Sequence, residues 1–196
     1  MINMLITAIV QIVLFTALPF IWWLITARKK ENFFHWLGLK KPEGKPVLWT
    51  IGATVAFLLV ATFILFCVRG LETATSDFTG LGAKAIPQIL IYAILKTGLA
   101  EEIVFRGFLL KRISNKFGFA AGNLIQSFLF GIMHGIFFFN TVGVAKAVLI
   151  ILFTGTIGWV MGFINEKKAG GSILPSWFVH SSANIFSGIC SAFLLI

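Results

Sequence analysis

Long apolar stretches dominate the sequence and leave few folds open to it. Soluble domains carry about 25% charged residues, whereas this chain has 12% charged and 58% hydrophobic residues. About 20 apolar residues in a helix cross the hydrocarbon core, and a helix satisfies its own backbone hydrogen bonds there. The sequence therefore predicts an all-α fold, a polytopic transmembrane helix bundle of about six spans in contact with membrane lipids. The predicted spans are 3–26, 47–68, 85–110, 119–138, 146–165 and 174–196.

The first apolar stretch differs from a secretory signal peptide. It lacks a positively charged start, is too long for a signal-peptide core, and is followed by Arg28, Lys29 and Lys30 in place of a small-residue cleavage site. Such a stretch is typical of a retained span.

Basic residues are distributed unevenly between the predicted connections. The net charge is +9, with 16 Lys and Arg against 7 Asp and Glu. Because most of the cations flank apolar stretches in short loops, they indicate topology and lipid contact, and we expect no nucleic-acid partner. The cation-rich side should be cytoplasmic in a multi-pass protein of the cell membrane. Its cations are Arg28, Lys29, Lys30, Lys40, Lys41, Lys45, Lys111, Arg112, Lys116, Lys167 and Lys168, against Arg69, Lys84 and Lys146 on the other side.

Two regions follow from this pattern. Residues 1–84 hold two spans and the longest basic loop, and residues 85–196 form a predicted core of four spans. The intramembrane polar residues that call for an explanation lie in the second region.

The third span contains three ionisable residues within six positions: Glu101, Glu102 and Arg106. Each such residue costs about 2.5–3.5 kcal/mol at the centre of a span on insertion scales. Glu102 and Arg106 are four residues apart in the favourable order, so they can neutralise each other. Glu101 points about 100° away around the helix and needs a partner on another helix.

Two later spans offer partners for Glu101. His134 lies on the fourth, and His180 lies on the sixth with Asn184 one turn further on the same face. At 1.5 Å per residue their depths are compatible, given ordinary helix tilt. We therefore expect one wet pocket in the cytoplasmic half of the bilayer.

These residue types suit hydrolysis. A carboxylate beside a neutral imidazole can hold a water molecule and remove its proton, so Glu101 and His134 are candidates for water activation. The N–H groups of His180 and Asn184 could hold the oxyanion that forms when water attacks a carbonyl. Glu102 and Arg106 would support the helix, and no Ser or Cys has a base of its own for a covalent route.

Other interpretations remain open at the sequence level. The pair of Glu102 and Arg106 could be purely structural. Single intramembrane His or Asn residues often only join helices. A non-catalytic immunity or scaffold protein could use the same polar cavity for binding. Ion transport fits intramembrane carboxylates, but the chain has no repeat or paired broken spans to support it.

The spacing of these residues resembles a known family. Glu101-Glu102-x-x-x-Arg106, Phe130-x-x-x-His134 and His180-x-x-x-Asn184, with the Leu-Pro-Ser-Trp run before His180, are similar to the motifs of the CAAX protease and bacteriocin-processing family (CPBP or ABI). The resemblance covers roughly residues 85–190. It extends to the type II CAAX prenyl endopeptidases within that family.

The resemblance implies an intramembrane endopeptidase that acts on a membrane-associated peptide or protein through a glutamate-activated water. In it Glu101 matches the general base, His134 its partner, and His180 with Asn184 the oxyanion pair; Glu102 and Arg106 match supporting residues. The family has also been described as metalloproteases, and two His with a Glu could bind zinc. Because the two histidines do not come from an HExxH helix, we expect no metal and no other cofactor. Members that trim prenylated tails have more spans than this chain.

Overall fold

A computed structural model describes residues 1–195 of the chain. Within this range the protein is all-helical, without strands, as the sequence predicts. Three helices lie in the first region: α1 (Ile2–Thr26), the short α2 (Phe33–Leu37) and α3 (Val47–Cys67). Two 3₁₀ turns, Ser76–Phe78 and Gly82–Ala85, then lead into the second region.

Two glycines divide the helical run of the second region. Gly118 (φ 83°, ψ 161°) and Gly143 (φ 74°, ψ 173°) have non-helical dihedral angles inside the run Lys111–Lys168. A residue with a side chain rarely adopts such positive φ values. We therefore distinguish α4 (86–117), α5 (119–142) and α6 (144–168), followed by α7 (Leu174–Ala192).

The backbone of α4 is wider than that of a standard helix over much of its length. It is α-helical at Ile86–Leu90 and Ala100–Glu102 and π-helical at Ile91–Leu99 and Ile103–Leu110. Such wider turns are rare and concentrate at functional sites. Glu101 and Glu102 therefore lie in the one α-helical turn between two π-helical segments.

Within residues 1–195, three helical segments are long and apolar enough to cross a membrane: Ile2–Thr26, Val47–Cys67 and Gly82–Lys168. The third has 87 residues, far more than the 17–25 or so that one span requires, and contains both glycine breaks. Large apolar side chains face outward, among them Leu48 at 81% and Ile25 at 79% exposure. Such a surface suits contact with lipid, because apolar side chains that face hydrocarbon are not exposed to water.

The helix α4 lies at the centre of the bundle. It packs against α1 on one side, against α7 on another, and against α5 and α6, while α3 packs against α6 and α7. One buried cluster joins α4, α5, α6 and α7 through Phe105, Phe130, Ile157, Met161 and Val179. This arrangement brings the polar residues of α4, α5 and α7 toward each other.

Candidate active site

The candidate residues surround one cavity of about 540 Å³. Glu101 reaches it from α4, His134 from α5, and His180 and Asn184 from α7. The volume lies within the range of small-ligand pockets, roughly 300–1,000 Å³. Three helices therefore bring a carboxylate, two imidazoles and an amide to the same space, as the sequence predicts.

The Glu101 carboxylate lies between the two histidines. Its Oε2 atom is 3.9 Å from His134 Nε2 and 3.8 Å from His180 Nε2. These distances exceed that of a direct hydrogen bond but are close enough for one small molecule to contact all three groups. Glu101 Oε2 has no hydrogen-bond partner among the described residues. The carboxylate is therefore positioned to act on something that enters the cavity.

A second carboxylate lies beneath the cavity, outside its lining. Glu102 Oε1 accepts hydrogen bonds from Arg106 Nη1 at 2.9 Å and from His180 Nδ1 at 3.0 Å. Glu102 and Arg106 are fully buried. The pair is therefore both the intrahelical contact that the sequence predicts and a direct support of His180, which the sequence did not predict.

Space for the Arg106 guanidinium is created by α5 and α6. Its central carbon lies 4.1 Å from the centre of the Phe130 ring, a distance at which the ring face attracts a cation. A methyl group added at Gly158 would lie 3.1 Å from Arg106 Nη2. A larger residue at Gly158 would crowd the buried cation, so α6 helps to define this pair.

Backbone and side-chain contacts fix the orientation of both imidazoles. His134 Nδ1 lies 2.9 Å from the carbonyl of Phe130 and therefore donates to it. His180 Nδ1 likewise donates to the Glu102 carboxylate. In each neutral ring the remaining nitrogen, Nε2, then carries a lone pair and faces Glu101.

The Asn184 amide is oriented by a residue that the sequence analysis missed. Asn184 Nδ2 donates to Thr97 Oγ1 at 2.8 Å, and the Thr97 hydroxyl donates to the carbonyl of Tyr92 at 3.0 Å. The second N–H of Asn184 is left for the cavity. Thr97 lies four residues before Glu101, a spacing that places both on one helix face and that could have identified it.

A tryptophan joins α7 to the wide part of α4. Trp177 Nε1 donates to the carbonyl of Ile94 at 2.7 Å, within a π-helical segment of α4. The same two helices approach closely at Gly98, where an added methyl group would lie 2.7 Å from Ser181 Oγ. These contacts set the distance between Glu101 on α4 and His180 on α7.

The position of the cavity corrects one expectation. We expect from helix depths a pocket in the half of the bundle nearest the basic loops, but the cavity extends to the opposite end. The buried side chains of Glu102 and Arg106 occupy the half that was expected to be wet. The depth of a residue along its own helix did not predict the position of the pocket, because it does not show at which end the neighbouring helices separate.

The same geometry bears on metal binding. Among residues 1–195, no group of three or more His, Cys, Asp or Glu side chains is arranged to hold a metal ion. Independence from a metal stays a prediction, and chelators test it.

The fold and the site together define a helical membrane protein with a carboxylate–imidazole cluster at the base of a cavity between its helices. The sequence model of the type II CAAX prenyl endopeptidase Rce1-like family matches residues 83–186. Because this match covers more than half of the chain, the protein belongs to that family. Membership supports a protease that works within the membrane on a peptide or protein substrate. Comparisons with curated proteins and with solved structures gave no match.

Proposed function

We propose that the protein is an intramembrane endopeptidase that hydrolyses a peptide bond with water activated by Glu101. The observation that carries the proposal is the convergence of Glu101 Oε2, His134 Nε2 and His180 Nε2 within 3.9 Å at the base of the cavity. A water molecule at this point can donate one hydrogen to the Glu101 carboxylate and the other to the His134 lone pair. Both acceptors then increase its nucleophilicity.

The attack proceeds in a defined order of bonds and protons. The water oxygen bonds to the carbonyl carbon, Glu101 takes the water proton, and the carbonyl oxygen becomes an oxyanion. The free N–H of Asn184 suits this charge because its amide is already held by Thr97. When the tetrahedral intermediate collapses, the C–N bond breaks. The leaving nitrogen then takes the proton that Glu101 removed from the water.

The role of His180 depends on a proton at Nε2. Since Nδ1 donates to Glu102, only a ring that is protonated on both nitrogens can donate to the oxyanion. Glu101, 3.8 Å from Nε2, is the nearest group that can pass on the water proton. We therefore assign His180 to both oxyanion binding and proton transfer, and Glu102 with Arg106 to its support.

The proposed topology has about six spans, with the basic loops cytoplasmic. It is supported by the glycine breaks in Gly82–Lys168 and by the additional helix α7, which together give four helices after residue 85. Residues 1–84 then act as a two-span N-terminal part, and residues 85–196 as the catalytic core that contains all six site residues. No metal or other cofactor takes part in the proposed reaction.

The decisive experiment replaces the base while keeping its shape. Glu101→Gln should reduce cleavage by about 10²–10⁴-fold, the usual contribution of a general base. Cells that express wild type or Glu101→Gln are compared by proteomics for peptides whose processing disappears, and a candidate peptide is then assayed with purified protein. Glu43→Gln, an exposed carboxylate in the basic loop, is the matched control and should cleave normally.

The same experiment separates the enzyme from a binding protein. If Glu101→Gln folds, binds and protects cells as wild type does, the cavity serves an immunity or scaffold function, and the hydrolase proposal is wrong. Thermal unfolding in detergent shows whether a loss of cleavage reflects the missing carboxylate or a missing fold.

A further inference from the structure

The residues that line the cavity lie toward one end of the bundle. They lie from near the middle of each helix to the end away from the basic loops. No residue of the basic segments 27–46, 111–118 (the last turns of α4 with Gly118) or 169–173 lines the cavity. We call these segments the basic face, and the segment 68–85 with Gly143 the non-basic face. The lining residues nearest the non-basic face are Val68, Glu72, Thr73, Ala74, Thr75, Thr141, Val142 and Ser187.

The basic face is closed by loops that bind each other. The loop that follows α6 donates from the Ile173 amide to the carbonyl of Gly38 at 2.9 Å and from Ser172 Oγ to the carbonyl of Lys40 at 2.7 Å. Lys111 Nζ adds hydrogen bonds to Glu166 at 2.8 Å and to the carbonyl of Gly171 at 2.7 Å. Three connections of this face are thus joined into one layer.

A buried plug lies between this layer and the catalytic carboxylate. Glu102 and Arg106 are fully buried, as are Leu37 at the end of α2 and Ile173 in the loop before α7. A polar substrate that approached from the basic face would have to displace both the loops and the ion pair. Glu101 is therefore reached through the non-basic face.

We propose that the protein cleaves its substrate from the extracytoplasmic side of the membrane. This inference rests on the proposed function and adds a direction to it. Cation-rich connections remain on the cytoplasmic side of multispan proteins, and here those connections form the closed face. The open face is then extracytoplasmic, and the substrate is an exported or membrane-inserted peptide whose cleavage site has crossed the membrane.

The charges in the cavity refine the substrate class. Its described lining contains two carboxylates, Glu72 and Glu101, and neither Lys nor Arg. A free C-terminal carboxylate would meet like charge without a cation to bind it. The cavity therefore fits a neutral or basic segment, cleaved at an internal bond. A prenylated tail, which is anchored at the cytoplasmic surface, would meet the closed face.

Thiol labelling tests the direction of the cavity without any assay of activity. In a Cys67→Ala, Cys190→Ala background, single cysteines are introduced at exposed Ala83 on the non-basic face and exposed Asn115 on the basic face. A third is introduced at Thr154, which lines the cavity on α6. Thr156→Cys is the matched control, because Thr156 lines an apolar groove between α3 and α6 two residues further on. Bacterial spheroplasts are treated with a membrane-impermeant sulfonated maleimide, before or after permeabilisation.

The expected pattern is specific to one orientation. Ala83→Cys and Thr154→Cys should be labelled in intact spheroplasts, Asn115→Cys only after permeabilisation, and Thr156→Cys in neither, since a thiol reacts as a water-exposed thiolate. Labelling of Asn115→Cys from outside, or of Ala83→Cys or Thr154→Cys only after permeabilisation, overturns the proposal. So does a Thr154→Cys that stays unlabelled while Ala83→Cys reacts, because the cavity would then be closed to that face.

Substrate mapping gives an independent readout. The Glu101-dependent cleavage sites found by proteomics should lie in translocated segments of membrane or secreted peptides. Sites confined to cytoplasmic segments would overturn the extracytoplasmic proposal and leave the endopeptidase intact. An absence of any Glu101-dependent cleavage would refute the endopeptidase, while the labelling pattern would still decide which face the cavity opens on.

Discussion

Asn184 donates a hydrogen bond from its side-chain amide to the hydroxyl of Thr97, 2.8 Å away on the neighbouring helix. This contact fixes the amide of α7 with respect to the helix that contains Glu101. Thr97 touches no reacting atom in the proposed mechanism, so it is a positioning residue. Its effect on catalysis should therefore be transmitted through Asn184.

Thr97→Val should lower kcat and leave KM nearly unchanged. The loss should be smaller than the about 10²–10³-fold expected when an oxyanion donor itself is removed, as in Asn184→Ala. A kcat loss at constant KM indicates an interaction that matters mainly in the transition state. Steady-state cleavage of the peptide identified by proteomics provides the measurement.

Thr97→Ser is the matched control for this prediction, because it keeps the hydroxyl that accepts from Asn184. It should retain most of the activity. Equal losses in Thr97→Val and Thr97→Ser would mean that the methyl group matters for packing and that the hydrogen bond does not position Asn184.

The Glu102–Arg106 pair should contribute to stability more than Glu101 does. Arg106→Met leaves the fully buried Glu102 without its cation, and breaking a buried pair costs about 3–5 kcal/mol. Glu101→Gln should change the free energy of unfolding little, because Glu101 lines the cavity. Unfolding in detergent measures both variants.

A double variant tests whether charge or shape causes that loss. Glu102→Leu with Arg106→Met removes both charges, so it should recover part of the stability that Arg106→Met loses. Its activity should stay low because His180 loses the Glu102 partner at Nδ1. A double variant less stable than Arg106→Met would indicate that packing around the guanidinium is the larger effect.

Much of the fold and of the site was predictable for physical reasons. The helices follow from the apolar stretches, because hydrocarbon admits few other backbones. Glu101, His134 and His180 could be grouped because unpaired polar side chains inside a membrane need partners. The four-residue spacing of Glu102 to Arg106 predicts a contact that forms at 2.9 Å.

Other features depend on distances that the sequence does not contain. Thr97 was missed because a threonine in a helix commonly bonds only to its own backbone, as Thr97 also does through Tyr92. The pocket was expected in the half nearest the basic loops, because the sequence does not show how the loops around Gly38 and Ile173 interlock and cover that end. Both features arise between helices, where spacing along one chain segment carries little information.

Chelators should leave the activity unchanged. In the proposed reaction the Glu101 carboxylate and the His134 lone pair activate water, so no Lewis acid is required. Cleavage by purified protein is measured after treatment with EDTA and with 1,10-phenanthroline, together with the metal content of the sample. Activity that disappears with the chelator and returns with zinc would assign a metal to the two histidines and Glu101.

The close approach of α4 and α7 at Gly98 should be required for both stability and activity. In Gly98→Ala the added methyl group would meet the carbonyl of Ala93 within α4. On α7 it would lie 2.7 Å from Ser181 Oγ and 3.3 Å from Trp177 Cδ1. Overpacking of this kind costs about 1–3 kcal/mol. Separation of the helices would also weaken the Trp177–Ile94 and Asn184–Thr97 hydrogen bonds. Cleavage and thermal unfolding should therefore both decline.

Gly52→Ala provides the comparison for Gly98→Ala, since a methyl group at Gly52 on α3 would meet nothing within 4 Å. Alanine also favours a helix over glycine by about 1 kcal/mol, so Gly52→Ala should unfold at the wild-type temperature or above and cleave normally. If Gly98→Ala matched Gly52→Ala in both measurements, α7 could shift without cost. The distance between His180 and Glu101 would then be set by contacts other than this one.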